Sequence, residues 1–227
     1  MLISTSRGIA FLSNPKCGTT SIERALSKKC EISMTKTSHF KHMNAVKFTK
    51  TWKPFLTKKL LIDNLLIFCT TRSPSSKIIS WYKYRSRTQL KGSKKYLGST
   101  PFRDFCSQSM QTQADKFFFD ATTNRFLVDI AIPIENIRII ETFVCKEFGI
   151  KQIPKINTSE KPDQSSYAAT MTPADYEQVI KEEARKASKT YVESTIRHKL
   201  LADFFSRQSQ NIDLRSASLQ FKLAFDD

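Results

Sequence analysis

GIAFLSNPKCGTTSIERAL, residues Gly8–Leu26, is the stretch on which the fold turns. Ile9, Ala10, Phe11 and Leu12 form a short continuous apolar run, the mark of a strand buried on both faces, whereas Ile22, Ala25 and Leu26 recur at the spacing of one helical face. Between the two periods lie Pro15, Lys16, Cys17, Gly18, Thr19, Thr20 and Ser21. A glycine turns the backbone tightly beside a ligand, the first N–H groups of a helix lack intrahelical acceptors and point at an anion, and three hydroxyls and an ammonium surround that point. A Ser/Thr cap following a turn would leave the same letters, so this loop alone keeps both readings open.

The pattern then repeats. Leu65, Leu66, Ile67, Phe68 and Cys69 make a second buried-strand run, Thr70, Thr71, Arg72, Ser73 and Pro74 follow, and Ser75–Tyr84 reads as a helix with Ile78, Ile79 and Tyr82 on its apolar side. Strand, loop and helix twice over predict an α/β fold: a P-loop-like, three-layer single domain with a central, mostly parallel sheet flanked by helices. A nucleotide triphosphatase loop places its Lys directly after the last Gly and before Ser or Thr. Here Lys16 precedes Gly18 by two residues, which argues against an ordinary triphosphatase.

In this order the two stretches resemble the sulfotransferases that use 3′-phosphoadenosine 5′-phosphosulfate (PAPS). The strand, P-K-x-G-T-T-S and helix are similar to that family's 5′-phosphosulfate-binding loop. Arg72 and Ser80, eight residues apart, match the Arg and Ser of its R-N-P…S-x-Y motif, although Ser73 stands where Asn is usual and Lys77 where Arg is frequent. Lys41-His42 followed by Ala45 resembles the K-H-x-x-A segment of the carbohydrate-type, family 2, members. The run from Gln113 through Phe117, Val128, Asp129 and Ile130 to Glu135 is similar to the segment ahead of a sheet strand there, and Asn157-Thr158-Ser159 with Lys161 to a segment that reaches back to the cofactor.

The resemblance implies a PAPS donor and 3′-phosphoadenosine 5′-phosphate (PAP) as product. It assigns Pro15, Lys16, Cys17, Gly18, Thr19, Thr20 and Ser21 to the phosphosulfate, Arg72 and Ser80 to the 3′-phosphate, and Asn157, Ser159 and Lys161 to the same cofactor. The acceptor it implies is a hydroxyl of a glycan or small metabolite. Transfer needs a cation opposite a base; Lys16 is the cation, and of the three histidines His42 ranks ahead of His39 as base, with His198 set aside in a C-terminal helix. A carboxylate such as Glu31 or Asp63 is the remaining choice.

Composition bounds the rest. With 227 residues, 40% hydrophobic and 26% charged, the chain suffices for one sizeable core, taken as a domain over residues 1–208 with a tail at 209–227 packing on it. Met1–Gly8 reads as polar and the run after it as too short for a signal or anchor, so a cytoplasmic protein without membrane anchor is expected. Five scattered cysteines without C-x-x-C indicate neither a disulfide framework nor a metal site. A formal net charge of +16 favours anionic partners, and without a helix-turn-helix, zinc-finger or RNP pattern no nucleic acid is expected. A P-loop-like small-molecule or nucleoside kinase and a basic nucleic-acid-binding module remain the alternatives, and the oligomeric state is open.

Further along, residues 83–116 read as a basic loop, either covering the acceptor site or a plain surface insertion, with a short helix at Phe102–Cys106. Phe117–Asp129 reads as a helix, Ile130–Glu141 as a strand, and Thr142–Phe148 as a helix stopped by Gly149. Thr172-Pro173 opens a helix to about Ala187, a second runs to about Ser206, and Leu219, Phe221, Leu223 and Phe225 alternate like an edge strand or a docking segment.

Overall fold

A computed structural model describes residues 1–112, 115, 117–154, 156, 170–208 and 212–225. The chain gathers into two compact units, Met1–Arg72 with Asp115–Ile156 and Leu200–Asp227, and Ser73–Ala114 with Asn157–Lys199.

The first unit is mixed α/β. Among its described residues a five-stranded sheet runs β3(Ile32–Ser33), β1(Leu2–Ser4), β2(Ile9–Leu12), β4(Leu66–Thr71), β7(Ile130–Pro133). β2, β4 and β7 are parallel, in the register Leu12↔Cys69 and Thr71↔Pro133, while β1 is antiparallel to both neighbours. Every residue of β2 and β4 is buried, as expected of central parallel strands covered on both faces. β1 corrects the polar reading of the N-terminal segment: Leu2 and Ile3 are core residues in a strand too short to show periodicity.

Helices α1(Thr19–Leu26), α2(Ser38–Lys41), α3(Ala45–Pro54) and α6(Ile137–Phe148) flank this sheet, and a π-helical turn, Phe55–Lys59, continues α3. Gly149 ends α6 in the left-handed conformation, φ 58°, as a C-terminal glycine should. Two expectations fail here. Phe117–Asp129 forms no helix but a hairpin of β5(Phe119–Asp120) and β6(Arg125–Phe126), because the Asp120 carboxylate accepts from Thr122 N–H and Thr123 Oγ1 and Asn124 takes φ 54° to close the turn. Ile130–Glu141 is strand only to Pro133, after which Ile137 opens α6.

The C-terminal segment is also corrected. Leu214–Phe225 is a helix, α9, whose Leu214, Ala217, Ser218 and Phe221 are buried while Leu219 and Leu223 face solvent. Phe221 and Phe225 pack with Phe126 and Phe204 at centroid distances of 5.0–5.8 Å.

The second unit is helical: α4(Pro74–Arg85), α5(Phe102–Thr112), α7(Pro173–Glu183) and the first part of α8(Lys189–Ser206). Its core is Ile78, Tyr82, Phe102, Phe105, Cys106, Met110, Tyr176 and Tyr191. Ser73 caps α4 ahead of Pro74, and Thr172 with Asp175 forms a capping box on α7. No helix among the described residues is long and apolar enough to cross a membrane.

Candidate functional site

Because β2 and β4 are parallel neighbours, the loops leaving their C-terminal ends emerge on the same side of the sheet, the side where open α/β sheets bind ligands. After Leu12 the chain passes through buried Ser13 and Asn14, then takes left-handed backbone at Lys16, φ 65°, and again at Gly18, φ 70°. Gly18 suits this position by its φ, and a Cβ there would lie 2.6 Å from Ile134 Cδ1, so a larger residue would also have to displace that side chain.

A lysine in that conformation is strained and persists only where neighbours over-determine it. Three hydrogen bonds between this loop and the β4 end do so. Asn14 Nδ2 donates to Thr70 O at 3.1 Å, Thr70 Oγ1 donates to Cys17 O at 2.7 Å, and Arg72 Nη1 donates to Lys16 O at 3.1 Å. The two motifs are thus one constellation, with the guanidinium of the second fastened to the backbone of the first. Gly18 is the N-cap of α1 and supplies no side-chain acceptor, so the positive end of that helix faces whatever lies at the loop. Lys16 and Arg72 are half-buried, and the four remaining N–H donors of the Arg72 fork suit a phosphate.

His42 docks on the same segment. Its Nδ1 lies 2.7 Å from Ser13 O, three residues before Lys16. A carbonyl only accepts, so Nδ1 carries the proton and Nε2 presents its lone pair. Burial holds the imidazole below its usual value against the raising effect of that carbonyl, which keeps the ring neutral near pH 7.

Beneath His42 sits a group with no signal in the sequence motifs. Glu23, on the buried face of α1, is 4% exposed; its carboxylate accepts from Ser13 Oγ at 2.6 Å and pairs with Lys41 Nζ at 2.9 Å, with the Met1 ammonium 3.8 Å away. Lys41 and His42 are consecutive, and Ser13 bonds Glu23 through its hydroxyl and His42 through its carbonyl. One buried carboxylate therefore locks the Lys-His segment to the loop.

The other expected residues separate. Cys17 is buried, its thiol 3.4 Å from Pro15 O, and contributes backbone. Thr19 is buried and Pro15 and Thr20 half-buried at the loop and first turn. The Ser21 hydroxyl donates to Ile156 O and accepts from Ile156 N, both 3.1 Å, so it anchors residue 156. Asn157, Ser159 and Lys161 lie outside the described residues. Ser80 is half-buried on α4, in the second unit. His39 is exposed, its ring edge-on to Phe40. Of the carboxylates, Glu31 is held down to about 2, against desolvation, by the Ser6 hydroxyl and Thr5 N–H, and Asp63 is exposed. Comparison of the chain with protein-family models, with curated proteins and with solved structures returns no match.

Proposed function

We propose that this protein is a PAPS-dependent sulfotransferase with a P-loop-like core, moving a sulfuryl group to a hydroxyl of a saccharide or small metabolite. The observation that carries the reading is the bonded pair of loops: a lysine-bearing turn at a helix N-terminus, fastened through Lys16 O to Arg72 at the end of the adjacent parallel strand. Such a donor set fits a ligand with two separate anionic ends.

Lys16 and the N–H groups opening α1 would hold the phosphosulfate end, and Arg72 the 3′-phosphate. The bound donor supplies an activated sulfuryl group. His42 takes the acceptor's hydroxyl proton at Nε2 while its Nδ1–H stays on Ser13 O. Lys16 neutralises charge on the departing phosphate, the electrostatic part common to such group transfers.

Thermal denaturation against PAP, ATP with magnesium, and a short oligonucleotide tests this. A ligand specific to the folded state at about 100 times its Kd stabilises by about 2.7 kcal/mol. PAP alone should act at low concentration. Stabilisation by ATP with magnesium, or by the oligonucleotide, with PAP inert, would replace this reading by a kinase or a nucleic-acid binder.

A further inference from the structure

We propose that the exposed face of residues 46–61, formed by α3 and the π-helical turn after it, is a docking surface for an anionic lipid bilayer. Residues 45–62 contain five lysines, Lys47, Lys50, Lys53, Lys58 and Lys59, and no acid. All five are exposed, and no carboxylate among the described residues pairs with them. With a chain charge of +16, this face attracts a negative surface.

Charge alone would suit any polyanion; the apolar groups choose the bilayer. Phe55, Leu60 and Leu61 stand 45%, 44% and 74% exposed beside Lys58 and Lys59, while Leu56 on the opposite side of the turn is fully buried. Two of the segment's three threonine hydroxyls are engaged by the helix backbone, Thr51 Oγ1 donating to Lys47 O at 2.7 Å and Thr57 Oγ1 to Lys53 O at 2.9 Å, while Thr49 is exposed. The turn itself presents ammonium groups around an aromatic and aliphatic tip, the pattern of a segment lying in a headgroup layer. A sulfated polysaccharide or a nucleic acid would draw on the lysines and gain nothing from Leu60 and Leu61.

Leu61 adds a second, independent mark. Ile62 N donates to Leu56 O at 3.1 Å and Leu60 N to Phe55 O at 3.2 Å, closing the turn with Leu61 at φ 52°. That is the left-handed position just past a helix end, where glycine is the favoured residue. Here the chain instead carries a leucine, in strained backbone, with its side chain in water. Neither folding nor solubility explains that choice; insertion of the side chain into a lipid interface does.

The strain makes the test specific, because folding and docking respond to Leu61→Gly in opposite directions. The full chain is sedimented with phosphatidylcholine vesicles and with vesicles carrying about one third phosphatidylserine. Expected are binding to the anionic vesicles alone, loss with added salt, about fivefold weakening for each of Lys58→Gln and Lys59→Gln, and marked weakening by Leu61→Gly with a melting temperature equal to or above the parent's. Heparin and oligonucleotide binding run as controls and should be indifferent to Leu61→Gly. Absence of vesicle binding, equal binding to neutral vesicles, or vesicle binding untouched by Leu61→Gly would overturn the proposal. Should Leu61→Gly lower the melting temperature, Leu60→Ser, at a residue of ordinary φ, is read by the same criteria.

Discussion

Thr70→Val isolates the strap between the two loops. Valine keeps the branched shape that β4 packs, so the change removes one hydroxyl and little else. Thr70 and Cys17 are both fully buried, and the lost bond is the 2.7 Å contact to Cys17 O. A buried carbonyl left without its donor costs about 1–3 kcal/mol, and for a chain of this size each kcal/mol lowers the melting temperature by about 2–4 °C. The expected loss is about 2 kcal/mol, or about 4–8 °C. Thr70→Ser keeps the donor and gives up only a methyl, about 1 kcal/mol. Differential scanning calorimetry ranks the three proteins, and amide exchange should quicken at residues 16–19 in the valine variant while the interior of α6 is unchanged. A valine variant as stable as the parent, or a serine variant less stable than the valine variant, would refute the claim that this hydroxyl holds the loop.

Three further outcomes follow from the same contacts. His42→Ala should abolish sulfuryl transfer while leaving PAP binding within about twofold, and the parent's rate should fall only below the ordinary imidazole value, since burial lowers that of His42. The sign for stability is the same: between the depressed folded value and about 6.5 the unfolded chain binds more protons, so stability rises with pH there and is lost on acidification, a slope that His42→Ala removes in denaturant titrations across that window. Glu23→Ala removes the partner of Lys41, of the Ser13 hydroxyl and of the Met1 ammonium and should cost about 2–4 kcal/mol, and Lys41→Met, which leaves the buried Glu23 carboxylate without its closest cation, should cost a similar amount; equal stability of parent and Glu23→Ala by urea unfolding would remove the carboxylate from its anchoring role. Phe221→Ala should cost about 3–5 kcal/mol and Leu223→Ala under about 0.5 kcal/mol, the contrast of a buried and a solvent-facing residue on α9.

What could be read from the residues was local. The change from a buried apolar run to a 3.6-residue period, punctuated by Gly18 or by Ser73-Pro74, places α1 and α4 directly after β2 and β4. Glu23, Thr70 and Asn14 escape such reading because their partners lie 10 to 56 residues away, those of Thr70 and Asn14 meeting only once β2 and β4 are neighbours. Glu23 did leave a trace, since Thr19, Ile22, Glu23 and Leu26 share one helical face, and a carboxylate there needs a buried partner. α9 misled because apolar residues lie on both of its faces: Leu219 and Leu223 on the exposed side interleave with Phe221 and Phe225, and the sum mimics an alternation of two. The Phe117–Asp129 segment misled because its turn is set by Asp120 and by the φ of Asn124, which outweigh the apolar spacing around them.

The account rests on one adenosine-based ligand being gripped at two anionic ends, and isothermal titration of PAP against adenosine 5′-monophosphate, on the parent and on Arg72→Ala, measures that directly. Charge-assisted bonds from a guanidinium to the 3′-phosphate are worth about 1.5–3 kcal/mol, so PAP should bind the parent about 10- to 100-fold more tightly than the monophosphate, and Arg72→Ala should bring the two together. Equal affinities on the parent, or a preference for PAP that survives in Arg72→Ala, would contradict it.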